Sequence, residues 1–243
     1  MSTRKFMKLL KCLYSFKLSF GLLFIGFCQP TQSTNFLEVV TIFSRYLKNP
    51  SQVGEFAPLS KSVGVELARF ISNASHDENY TGRRFLEAGG GCGATSVCLA
   101  SVMHPLDHLD VIEIDPEMCI ILKKRLAAFS NVTVHCCSIL DWKPQHGYDI
   151  IVSTLPFNSL GIGFTEQAIA YFISVSNDLC MFSYVEYPIV RQAVQHFYSS
   201  DGKRQFQGVQ NFMKVVRVNY LVDQVTIYRN IPPITIYHLC LMP

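Results

Sequence analysis

The stretch "RFLEAGGGCGATS", Arg84 to Ser96, decides the reading of this chain. A short β-forming run ends in glycines, and a helix-compatible stretch begins near Ala94. Gly89, Gly91 and Gly93 keep a G-x-G-x-G spacing. Glycine lets a chain turn sharply and lets a ligand touch backbone. The helix start adds free N–H groups. Alone this is a weak signal, because glycine-rich turns are common between strand and helix.

Working outward, short β-rich runs recur at 84–89, 109–114, 132–137, 148–154, 179–185, 212–218 and 234–240. Helical spacing appears at 36–47, 59–72, 94–102, 116–128, 164–176 and 188–199. Alternation of this kind predicts a Rossmann-like α/β fold. Its sheet has about seven mostly parallel strands, with helices on both faces. Ligands in such sheets bind beyond the carboxyl ends of the strands. The second strand ends in "VIEIDPEM". A carboxylate there accepts hydrogen bonds from both hydroxyls of a ribose, and Glu113 fits that position best. Asp115, followed by Pro116, reads instead as a helix cap.

The chain has 243 residues, a formal net charge of +3, 49% hydrophobic and 16% charged residues. Its mean hydropathy is +0.22. This excludes a largely disordered chain and argues against a dedicated nucleic-acid domain, which tends to be more basic. The nine cysteines include no C-x-x-C pair. They read as reduced cytosolic thiols rather than a disulfide scaffold. The histidines show no metal-ligand spacing, so no metal is expected.

Residues 1–34 form a leader. Within 1–28, Arg4, Lys5, Lys8 and Lys11 fall on one side of a helix, with Phe6, Leu9, Leu13, Phe16 and Phe20 on the other. That pattern suits an anionic membrane surface. The apolar run that follows is too short to span a bilayer. A signal-like segment and an uninformative leader stay open as alternatives. The expected location is cytoplasmic and peripheral at the inner membrane, with residues 35–243 as one domain.

The glycine turn, the acidic Glu87 on its strand and Glu113 together resemble class I S-adenosylmethionine-dependent methyltransferases. By that resemblance Glu87 and the loop Gly89–Gly93 line the methionine part of S-adenosylmethionine, and Glu113 holds the ribose. The adenine position falls in "CCSILDW", where Ser138 stands in place of the usual Asp; Asp141 lies three residues on. The stretch "STLPFN", Ser153–Asn158, resembles the acceptor turn of enzymes that methylate amino nitrogens. rRNA adenine dimethylases begin that turn with Asn or Asp.

The bacterial phosphatidylethanolamine N-methyltransferase family carries a small residue there, as Ser153 is. Residues 36–69, "MFSYVEYP" (181–188) and "YRNIPPITIY" (228–237) are similar to other segments of that family. The resemblance implies an acceptor site of Ser153, Leu155, Pro156, Phe157, Asn158 and Tyr184. Phe157 and Tyr184 would face the developing ammonium. Packing in the core is the competing reading for both. Lys48, Lys61 and Arg69 are candidates for a lipid phosphate, and Pro58 and Ser60 for a lid. A phospholipid amine is the leading acceptor. An RNA adenine, disfavoured, or a small amine remain as alternatives, as does a homologue without catalysis.

Overall fold

The central strands read as nearly unbroken apolar runs because both of their faces are covered. The computed structural model describes residues 59–71, 80–188, 200–230 and 233–242. These lie in one compact unit, Thr41–Pro243. In chain order the elements are α1 (Lys61–Leu67), β1 (Arg84–Ala88), α2 (Ala94–Ala100), β2 (His108–Glu113), α3 (Pro116–Leu126), β3 (Val132–Cys136) and β4 (Tyr148–Ser153). There follow α4 (Phe157–Leu160), α5 (Ile162–Ser174), β5 (Ser176–Glu186), α6 (Ser200–Tyr220), β6 (Leu221–Ile227) and β7 (Ile234–Leu241).

The sheet has seven strands in the order β3-β2-β1-β4-β5-β7-β6. The first five in sequence pair in parallel, and β7 runs antiparallel to both β5 and β6. From β1 the chain builds outward through β2 and β3, then returns to build β4 and β5 on the other side. That reversal places the ligand crevice beyond the carboxyl ends of β1 and β4.

Two apolar layers hold the sheet. On one face Val63, Leu67, Leu99, Leu122 and Leu126, from α1, α2 and α3, cover Phe85, Leu109, Val111, Ile150 and Ile236. On the other, Phe157, Ile169, Phe172, Val209 and Met213, from α4, α5 and α6, cover Leu86, Ile112, Ile151, Phe182 and Leu239. Side chains two apart on a strand share a face, so each strand feeds both layers alternately.

Three expectations are corrected. Residues 212–218, expected as a strand, lie inside α6. The β-branched content of "FMKVVRV" suggested the strand. The buried set Phe206, Val209, Met213 and Val216 keeps a helical period and decides the outcome. The edge strand that takes its place, β6, falls on "LVDQVTI", where no strand was expected. The cysteines are not all free. Cys119 and Cys136 form a disulfide, their Cα atoms 6.0 Å apart, while Cys92, Cys98, Cys137, Cys180 and Cys240 are free thiols. Strand register sets Cys136 beside Glu113, and the first turn of α3 brings Cys119 to it. The leader, the helix expected at 36–47, Lys48, Pro58 and nearly all of 188–199 lie outside the described residues. Among the described residues no helix is long and apolar enough to cross a membrane.

Candidate cofactor and acceptor site

The glycine turn takes its shape from backbone bonds to the neighbouring strand. The N–H groups of Gly89 and Gly90 both donate to the Ile112 carbonyl, at 2.9 and 3.1 Å. Gly89, Gly91 and Gly93 have φ of +87°, +51° and +86°, a region L side chains rarely adopt. Gly90 is required by space rather than by φ. A Cβ there would lie 2.5 Å from Val111 Cγ1 and 2.9 Å from Leu122 Cδ1. The turn then feeds α2, whose Val97 N–H donates to the Gly93 carbonyl at 3.0 Å.

Glu113 ends β2 with its carboxylate under this turn. Oε2 accepts the Gly91 N–H and Oε1 accepts the Asp115 N–H, each at 2.8 Å. Each oxygen keeps a second lone pair. Burial pushes the Glu113 carboxyl above its usual range, against the lowering effect of the N–H groups of Asp115 and Gly91. Asp115 caps α3, accepting from the N–H groups of Glu117 and Met118 at 2.8 and 3.2 Å, with Pro116 at the first helical position.

One cleft gathers Gly89, Gly91, Glu113, Ser138, Leu155 and Pro156 of the expected site residues. It also takes in Cys137, Ile139, Thr154, Leu160 and Phe164, which the sequence reading did not single out. Cys137 and Ile139 flank Ser138. Thr154 donates its hydroxyl to the Gly89 carbonyl and ties the β4 turn to the glycine turn. Leu160 and Phe164 stand four apart on consecutive helices, a spacing that could have drawn notice. Ser138 Oγ accepts the Leu140 N–H at 3.2 Å, while its carbonyl accepts from Asp141 and Trp142. Asp141 itself is exposed.

Other expected residues do not line this cleft. Glu87 is wholly buried at the end of β1, and Gly93 sits at the helix cap. Ser153 is wholly buried, its Oγ accepting the Leu155 N–H at 3.3 Å. Phe157 is buried and meets Tyr184 edge-on, with ring centroids 6.1 Å apart. The Tyr184 ring lies nearly parallel to Phe182 and Tyr237. Its hydroxyl accepts from Arg217 at 2.7 Å, and Arg217 also pairs with Glu186 at 2.9 Å. Asn158 accepts from Gln210 at 2.6 Å, tying α4 to α6. Both aromatic side chains thus occupy the core positions of the competing reading. Lys61 is exposed at the start of α1, and Arg69 is held by Glu66 and Asp223, each at 2.9 Å. Among the described residues no His, Cys, Asp or Glu cluster has the arrangement of a metal site.

No protein-family model matches the chain, and no curated protein does. Solved structures do. The N-methyltransferase NodS from Bradyrhizobium japonicum WM9, in complex with S-adenosylhomocysteine, matches with a TM-score of 0.58 at 14% identity, over 84% of this chain and 98% of that one. An O-methyltransferase from Bacillus cereus, also in complex with S-adenosylhomocysteine, gives 0.57 at 12% identity, over 86% and 93%. The O-methyltransferase TomG from Streptomyces achromogenes, in complex with S-adenosylmethionine, gives 0.55 at 17%, over 93% and 96%. Strand order, glycine turn and cleft position agree with this likeness: the chain has the Rossmann-like fold of the class I methyltransferases.

Proposed function

We propose that the protein is an S-adenosylmethionine-dependent N-methyltransferase. Its acceptor in this reading is a phospholipid amine of the phosphatidylethanolamine type at a membrane surface. The observation that carries the cofactor is Glu113. A buried carboxylate with lone pairs to spare faces a cleft between a glycine turn and the Thr154–Pro156 turn. The residues fit the group. Gly89 and Gly91 leave room for close approach, Glu113 accepts from ribose hydroxyls, and Ile139, Leu160 and Phe164 offer apolar surface to a base. Ser138 presents a neutral hydroxyl where a charged acceptor would bond about twice as strongly. Cofactors of this class supply a methyl group on a sulfonium; among the structures this chain resembles, TomG was solved with S-adenosylmethionine and NodS with S-adenosylhomocysteine.

The chain's own part is to bind, orient and desolvate. An alkylammonium has a pKa of about 10, so the amine must shed a proton before its nitrogen can attack. Apolar walls formed by Leu155, Pro156, Leu160 and Phe164 disfavour the charged form. Backbone carbonyls of the 153–155 turn would accept the remaining amine N–H bonds and aim the lone pair. Positioning of this kind supplies several kcal/mol, up to ~7–11 in ideal cases. The lipid assignment rests on the resemblance of the 36–69, "STLPFN", 181–188 and 228–237 segments. Methyl transfer from labelled S-adenosylmethionine tests it, with phosphatidylethanolamine, RNA and small amines offered side by side. Label in the phospholipid is expected; label in an RNA adenine instead would overturn the lipid acceptor.

A further inference from the structure

Among the described residues no element packs on the outer face of α6, and that face has an unusual composition. Its inner side buries Phe206, Val209, Met213 and Val216. Arg217 also turns inward, to Tyr184 and Glu186. On the opposite side Lys203, Arg204 and Lys214 are exposed, and among the described residues none has an ion-pair partner. At 100° per residue these three fall within one arc with Val215 and Val218, which are 59% and 78% exposed. The apolar surface continues past the helix end into Leu221 and Val222, 41% and 57% exposed on the edge strand. The helix carries one carboxylate, Asp201, in its first turn.

We infer that this face is a docking surface for an anionic lipid bilayer. Free cations beside bare aliphatic side chains match what the surface of such a bilayer offers. Phosphates attract the charges, and the acyl boundary accepts the valines. Lysine stems can lie along apolar surface while their ammonium groups reach phosphate. A nucleic acid would meet the same charges, but the face exposes no aromatic ring on which a base could stack. The face is mechanically joined to the cleft. Gln205 accepts the Ile162 N–H at 3.2 Å, and Gln210 donates to Asn158 at 2.6 Å. These bonds tie α6 to α4 and α5, which carry Leu160 and Phe164 of the cleft wall. The inference deepens the phospholipid reading and rests on it for the purpose of docking, though not for the binding itself.

The test is co-sedimentation of the full chain with vesicles of phosphatidylcholine containing phosphatidylglycerol, against pure phosphatidylcholine. The parent should pellet with the anionic vesicles, and added salt should release it. The triple variant Lys203→Gln, Arg204→Gln, Lys214→Gln should lower the partition coefficient by about 30–100-fold. The variant Val215→Ser, Val218→Ser should lower it by about 10-fold. Parent protein that stays in solution, or variants that pellet like the parent, would overturn the inference. So would variants that lose binding of a single-stranded RNA yet keep vesicle binding. Transfer to dispersed short-chain phosphatidylethanolamine separates the two proposals. Variants with parental rates there and reduced rates on vesicles support docking. A parent that methylates the lipid in neither form overturns the acceptor assignment, while sedimentation still decides the docking face.

Discussion

Two buried carboxylates stand three residues apart on β2 and point to opposite faces of the sheet. Asp110 is enclosed by side chains. His135 Nε2 lies 2.7 Å from Oδ1, and the Tyr148 hydroxyl donates to Oδ2 at 2.9 Å. His108 and His146 approach within 3.5 and 3.6 Å, and Trp142 in turn donates to Tyr148 at 2.8 Å. Glu113 is held by two backbone N–H groups and lines the cleft. One carboxylate is consumed by its side-chain neighbours and the other is held by backbone alone at the cleft wall. Burial is alike in both, so it is the character of the partners that distinguishes them: side chains around Asp110, backbone N–H groups and an open cleft at Glu113.

The largest effect that could break this contrast is at Asp110. Asp110→Ala strands Tyr148 and His135 and should cost about 3–5 kcal/mol of stability, read by urea unfolding. Cofactor affinity, measured where the variant is still folded, should stay within about twofold. A loss of affinity on the scale expected for Glu113→Gln would erase the distinction. Glu113→Gln should do the reverse. The dissociation constant for S-adenosylmethionine should rise about 10–100-fold, with the melting midpoint moved by less than about 4 °C. Gly90→Ala tests the packing beneath the turn. Its Cβ has no room against Val111 and Leu122, so a loss of about 1–3 kcal/mol is expected by thermal unfolding.

The raised pKa of Glu113 sets a pH dependence. A carboxyl whose folded pKa lies above its unfolded one stabilises the fold below the unfolded pKa. That contribution is lost as pH rises through the folded pKa. In the proposed role the ribose hydroxyls donate to the carboxylate, so affinity should fall on acidification through a pKa above the ordinary 4.5. The parent minus Glu113→Gln difference isolates this effect in a calorimetric pH series. An affinity difference that is flat across that window would count against the ribose role. The smallest effect is expected at Ser138. Its hydroxyl oxygen already accepts the Leu140 N–H, so Ser138→Ala should change affinity by no more than about threefold.

The parallel half of the fold was legible because its strands are short apolar runs punctuated by glycine, proline and caps. The place of Glu113 at the cleft was legible for a local reason: strand end, acidic, about twenty residues beyond the glycine turn. The antiparallel edge was not. "FMKVVRV" carries strand-forming side chains, and its helical identity emerges from burial spread over 206–216. The disulfide was hidden because Cys119 and Cys136 meet through strand register rather than sequence spacing. On the acceptor side the turn was legible, but which of its side chains face the cleft was not. Leu155 and Pro156 line it, while Phe157 and Tyr184 turn into the core, because helix α4 rolls Phe157 under the sheet.

Calorimetric titration of the folded full-length protein with S-adenosylmethionine, in parallel with Glu113→Gln, tests the assignment of the cleft most directly. Saturable binding by the parent, weakened at least tenfold by the substitution, is the expected result. A folded parent that takes up no ligand at about 1 mM, or a Glu113→Gln protein that binds as the parent does, would contradict it.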